Sequence, residues 1–204
     1  MTYHAVSQTK DSVVVISGKP LTVSLLTTCI VLAACSNKKD ATQSNFEEAI
    51  KAGLATGPSM CVTVAASWPD DVRDTDDRSR QLRPFVNASL LSAKPITIPD
   101  MFGRKVPGHR YNVTEAGQQF AERGAFCYGK ARFVKLLSWD PVTTAIRIST
   151  TKAFFTYEID GLAGWATRDD VQAAFPNLRT VVQGQDHLKM QMKLIMDSDH
   201  WHKE

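Results

Sequence analysis

Long hydrophobic runs are scarce in this chain. The longest, Leu21 to Cys35, mixes Thr and Ser into its apolar residues and falls short of the roughly 20 residues that a bilayer-spanning helix needs, so it reads as a signal and not as a membrane span. A surplus of one charge is missing too: 24 Lys and Arg stand against 21 Asp and Glu, spread along the chain. Without a basic stripe, no nucleic-acid partner is expected. Motifs of nucleophilic catalysis are lacking, with no Gly-x-Ser-x-Gly, no Ser-x-x-Lys in a credible context and no Gly-rich phosphate cradle. No catalytic residue and no cofactor is assigned. The run Asp70, Asp71, Asp74, Asp76 and Asp77 lacks the order and the Gly of a calcium loop, and reads as a solvated acidic loop beside Arg73 and Arg78.

What is present at the start is an address. A secretory signal needs a positive residue, an apolar core and small residues before the cut. Lys19 supplies the first, Leu21, Val23, Leu25, Leu26, Ile30, Val31 and Leu32 the second, and Ala33-Ala34 the third. The ending Leu32-Ala33-Ala34-Cys35 resembles the lipobox of bacterial lipoproteins. The resemblance implies that residues 1–34 are removed and that the Cys35 thiol is acylated as the first mature residue; two acyl chains suffice for stable anchoring. Ser36, where an Asp would signal retention, resembles the pattern of proteins sorted to the outer membrane, which implies a lipid-anchored location in the cell envelope facing the periplasm. Residues 1–14 exceed what a charged leader requires and suggest a translation start nearer Val15 or Ile16. Residues 35–43 read as the lipidated cysteine and a polar, flexible tether.

Cysteine is sparse, at four residues. With Cys29 inside the signal and Cys35 the lipid site, Cys61 and Cys127 remain, either as a disulfide suited to an oxidising compartment or as two buried thiols.

Ser44-Asn45-Phe46-Glu47 has capping-box spacing before a helix carrying Phe46, Ile50 and Leu54, stopped at Gly57-Pro58. Cys61 to Ala65 reads as a strand. A helix is expected from Arg78 with Leu82, Phe85 and Val86 on one face, followed by strands Lys94–Ile98 and His109–Val113 around the loop Pro99 to Gly108, and a helix from Thr114 through Arg123. This order, with Tyr111-x-Val-Thr-x-x-Gly117, resembles the wing of winged-helix domains. The basic hairpin loop, with Arg104, Lys105, His109 and Arg110, is the candidate binding loop. The segments 131–139 and 146–159 read as strands, 167–175 as a short helix halted by Pro176, and Leu188 to Met196 as a half-buried alternating strand. Its methionine row is assigned to the core. His200-Trp201-His202 places two imidazoles on one side of an extended segment, but chain ends fray and no third ligand is suggested, so a solvated tail is expected and no metal site is assigned.

The expectation is therefore an α+β fold, with a winged-helix-like subdomain over 44–126 packed with a small antiparallel sheet plus helix over 127–204. Lipobox, wing and Phe126-Cys-Tyr-Gly-Lys130 together resemble a family of uncharacterised proteobacterial lipoproteins. That resemblance implies no activity. The expected function is a non-enzymatic binding or structural module held to the membrane by its lipid, with another envelope protein as partner. The alternatives are an immunity-type lipoprotein that neutralises a toxin and a cell-envelope hydrolase, the latter favoured by a pocket gathering His109 or His187 with an acid.

Overall fold

The computed structural model describes residues 37–204, so the signal and Cys35 lie outside the described residues. Thr42, and not Ser44, caps the first helix, accepting from the Asn45 N–H through its hydroxyl; α1 runs Gln43–Ala55. Then follow β1 (Met60–Thr63), β2 (Asp70–Arg73), α2 (Asp77–Asn87), β3 (Leu91–Pro99) and β4 (Lys105–Val113). The single turn α3 (Glu115–Gln118) leads to β5 (Ala121–Glu122), β6 (Ala125–Trp139), β7 (Thr143–Ala145) and β8 (Ile148–Asp160). A 3-10 turn at Gly164–Thr167, α4 (Asp169–Ala174), α5 (Pro176–Gln183), β9 (Met190–Met196) and β10 (Trp201–Lys203) complete the chain. No helix among the described residues is long and apolar enough to cross a membrane.

Two antiparallel sheets result. The larger has the order β1-β6-β8-β9-β10, with β5 and β7 added to β6 and β8; the smaller has the order β2-β4-β3. The expected winged-helix half is overturned. The described residues are 41% strand and 27% helix, and the main sheet is a curled antiparallel half-barrel. The curl has a local cause: β6 and β8 are long, and their register slips between Phe133 and Lys135 and again between Leu136 and Ser138. Each bulge bends the strand and increases its twist. Gly129, at φ +147, lies where a Cβ would come within 2.5 Å of the Ile159 Cγ2 and 2.7 Å of the Asp160 carbonyl, so this strand crossing admits only glycine.

The helices do not form a bundle. α1 packs on β6 and β10 of the curled sheet, while α2 packs on α4 and β3. Phe46 of α1 is fully buried and meets the rings of Trp139 and Trp201 edge-on at 5.3 and 4.9 Å. Phe85 of α2, also fully buried, lies 5.1 Å from Phe126, 5.5 Å from Trp165 and 5.4 Å from Phe175. This aromatic cluster fastens the smaller sheet's helix to the larger sheet, and one hydrophobic core takes in residues from Phe46 to Trp201. β6 runs through residues 125–139, across the junction that the composition suggests.

The wing-like sequence motif is a corner device. Thr114 donates its backbone N–H to the Leu90 carbonyl and its hydroxyl to the Ser89 carbonyl, and the hydroxyl accepts from the Gly117 N–H. A Cβ on Gly117 would sit 2.3 Å from the Leu90 carbonyl oxygen. The helix expected from Thr114 through Arg123 ends after one turn because β5 then pairs with β6. The short helix expected to halt at Pro176 does stop before it, α4 ending at Ala174, and Pro176 also opens α5, since proline at the first helical position loses no needed N–H.

Candidate functional site

The smaller sheet carries the site. The acidic segment expected as a loop supplies its edge strand β2, in register with β4: Asp70 faces Tyr111, Asp71 faces Arg110 and Val72 faces His109. Val72 is buried, whereas Asp71 is exposed and accepts from Arg110 Nε and Nη2, each at 2.7 Å. The hydrogen bonds from Arg110 hold the Asp71 carboxyl below its ordinary range and push the guanidinium up in turn. Burial pushes Asp70 upward, against the opposing pull of its ion-pair partner Arg78.

On the other face of β4 a cleft of about 280 Å³ lies against α2, lined by Asp74, Ser79, Arg83, Val86, Ala93, His109 and Tyr111. His109 Nδ1 is 2.7 Å from Asp74 Oδ1, an arrangement that fixes the ring and leaves Nε2 toward any ligand. Ser79 and Tyr111 share a hydroxyl contact at 3.4 Å. Arg83 makes no ion pair within 4.0 Å among the described residues. The cleft therefore offers a cation, an oriented imidazole and two hydroxyls. Ser79 is bonded to Tyr111 and not to the imidazole, so the set lacks an activated nucleophile.

The hairpin between β3 and β4 projects from this sheet and its tip is ordered. Asp100 accepts from the backbone N–H groups of Phe102 and Arg104, each at 2.9 Å, and from Arg104 Nε at 2.7 Å. Burial pulls its carboxyl upward, yet these hydrogen bonds outweigh it and keep the group below the ordinary range. The turn so closed turns Met101 and Phe102 outward, at 86% and 76% exposure, with the Arg104 guanidinium 5.4 Å from the Phe102 ring centre.

Of the four residues assigned to a basic binding loop, Arg104, His109 and Arg110 are each engaged by a carboxylate, and Lys105 stands exposed at the start of β4. The sequence reading missed Met101 and Phe102. The available signal was Asp-Met-Phe-Gly: an Asp and a Gly closing a turn around two large apolar residues.

Cys61 and Cys127 are cross-strand partners in β1 and β6 and form a disulfide. Glu122 joins them as the one group of three metal-type ligand atoms within 4.8 Å among the described residues, but the disulfide occupies both thiols. His187 lies in the turn after α5, away from the cleft's lining. No family model, no curated protein and no solved structure matches the chain.

Proposed function

We propose that the protein is a lipid-anchored binding module of the bacterial envelope, held through Cys35 and docking another envelope component with the tip of the β3–β4 hairpin. The observation that carries the docking half is the display of Met101 and Phe102 on a turn braced by Asp100 and Arg104. An ordered apolar tip loses little conformational entropy when it is covered. Among the described residues, Asp100 and Arg104 beside it are paired with each other and Lys105 stands exposed, so specificity rests on shape and apolar contact with a single free cation at the edge. Two experiments test the two halves. Cys35→Ala releases the protein from the membrane fraction if the anchor is correct, and a wild type found free of membranes overturns it. A photo-crosslinking residue at position 102 in intact cells gives a discrete adduct that Met101→Glu abolishes, whereas a residue at position 92 does not; equal crosslinking at both positions overturns the docking surface.

A second reading, a cell-envelope hydrolase, is favoured by one observation, the Asp74–His109 pair at the mouth of the cleft. It requires His109 to activate water, because no hydroxyl is bonded to its ring. Turnover of an activated acetate ester that His109→Gln removes supports it; equal background rates in both proteins end it.

A further inference from the structure

The last strand is not a frayed end. β10 pairs antiparallel with β9, Trp201 opposite Met196 and His202 opposite Ile195, and Trp201 is buried at 3% exposure. His200 closes the bend just before the strand and is exposed, while His202, inside β10 beside the buried Trp201, is half-buried; the two rings meet at the edge of the strand.

We propose that His200 and His202, with the Asp197 carboxylate, form a surface site for a divalent transition-metal ion of the zinc type. The ring centres are 5.5 Å apart; two imidazoles bound to one tetrahedral ion at the usual zinc–nitrogen distance place their centres about 5 Å apart. Both Nδ1 atoms face acceptors: that of His200 is 2.6 Å from Asp199 Oδ1, and that of His202 is 3.4 Å from the His200 carbonyl. A ligating histidine gives its second ring N–H to a carboxylate or carbonyl, and here that leaves both Nε2 atoms for the ion. Asp197 Oδ2 lies 3.9 Å from His202 Nε2. That is too far for a hydrogen bond and about 0.5 Å beyond the roughly 3.4 Å between two ligand atoms of a tetrahedral zinc ion, a gap that a rotation of the Asp197 side chain closes. The two histidines and Asp199 also line a cleft of about 390 Å³ against α1, where Glu48 supplies a further carboxylate and Lys38 a cation. As they stand, the three ligand atoms do not all lie within 4.8 Å of one another, so binding requires the side chains of His200 and Asp197 to rotate toward one ion; imidazole with carboxylate suits zinc, copper(II) or nickel(II) and not calcium.

This goes beyond the docking proposal and does not depend on it. The test is calorimetric titration of zinc chloride into the untagged full chain at pH 7, with the disulfide intact and free thiols alkylated. One saturable equivalent is expected. His200→Gln and His202→Gln each weaken it by at least roughly 10-fold, their combination removes it, and metal-free melting temperatures fall by no more than loss of the exposed His200–Asp199 pair brings. Asp199→Ala, which keeps every ligand but removes the acceptor of the His200 Nδ1–H, weakens it by roughly 10-fold. Copper(II) resonance spectra with hyperfine coupling to two imidazoles in the wild type and one in His202→Gln give an independent readout. No saturable binding, or binding unchanged in the double variant, overturns the proposal.

Discussion

The indole N–H of Trp201 donates to the Lys39 carbonyl at 3.1 Å, across 162 positions of sequence. The bond closes the fold on itself: the final strand holds the segment that enters α1, and Asn45 reinforces it by donating to the carbonyls of Asn37 and Asp40. Part of the stretch expected as a flexible tether is therefore tied into the body. Trp201→Phe keeps most of the packing on Phe46 and loses the hydrogen bond, with an expected cost of about 1 kcal/mol. Trp201→Ala opens a cavity against α1 and costs about 4 kcal/mol. Urea unfolding midpoints of the two variants check the order and the gap.

The disulfide joins β1 to β6 across a sequence separation of 66. Because β1 is a short edge strand whose sheet partner is β6, the covalent link holds a pairing that backbone hydrogen bonds alone maintain weakly. On the chain-entropy model, replacing both cysteines by serine lowers stability by about 4 kcal/mol. Denaturant unfolding of the double variant against the oxidised wild type measures it, and a difference under about 1 kcal/mol would count against a formed bridge.

Gly117→Ala puts a methyl carbon against the Leu90 carbonyl, where rigid backbone has no room to yield. The expected loss is about 2 kcal/mol, with the melting transition still cooperative. A neutral result would show that the corner formed by Ser89, Leu90 and Thr114 can move apart.

The β7–β8 hairpin turns on Ile146 and Arg147, with φ of +48 and +66. Two positive values in a two-residue loop define a type I′ turn, which favours Asn-Gly, and left-handed backbone costs an ordinary residue about 1–2 kcal/mol. Ile146 is 96% exposed, so no core is lost by changing it. Ile146→Asn combined with Arg147→Gly is expected to raise stability by about 2 kcal/mol in a thermal melt. A drop in stability would mean that the tip is held by contacts its exposure does not suggest.

Local signals carried most of what the sequence disclosed. The hairpin flanking residues 99–108, the Thr114 cap and the alternation from Met190 to Met196, with Met192 and Leu194 buried, are set by neighbouring residues. The arrangement of those pieces was hidden because it depends on distant partners. β2 looked like a solvated loop since Asp70 and Asp71 are poor strand formers, and only Arg78 and Arg110, brought beside them by the fold, make an edge strand of them. The wing resemblance failed for the same reason: Tyr111 to Gly117 encodes a hairpin closing on a turn, which suits many sheets, and nothing in it specifies where α1 packs. In the candidate site, His109 was singled out but its partner Asp74 was not, because a separation of 35 residues leaves no local trace.

Acid should unfold the protein through its carboxylates. Asp71 is held below the ordinary 3.8 by the hydrogen bonds of Arg110, Asp170 by those of Arg168 with a further bond from Asn87, and Asp199 by that of His200. A carboxyl whose folded value is depressed binds protons more readily when unfolded, so its contribution is present above about 3.8 and disappears as pH falls through the lower folded value. Asp70 acts in the opposite sense: burial raises it in the folded state, so its contribution is present at low pH and is lost as pH rises above 3.8. With Asp100, also held low, against the upward pull of burial, by the N–H groups of Phe102 and Arg104 and by the Arg104 guanidinium, four depressed carboxyls outweigh one raised carboxyl, and the urea midpoint is expected to fall between pH 5 and pH 2. Asp170→Asn, which also removes the link between α4 and α2, should flatten part of that slope while lowering stability at pH 7. Because these pairs are exposed, added salt weakens them, and the acid slope should shrink in 1 M sodium chloride. A midpoint independent of pH in this window would show that the ion pairs of Asp71, Asp170 and Asp199 do not persist in solution.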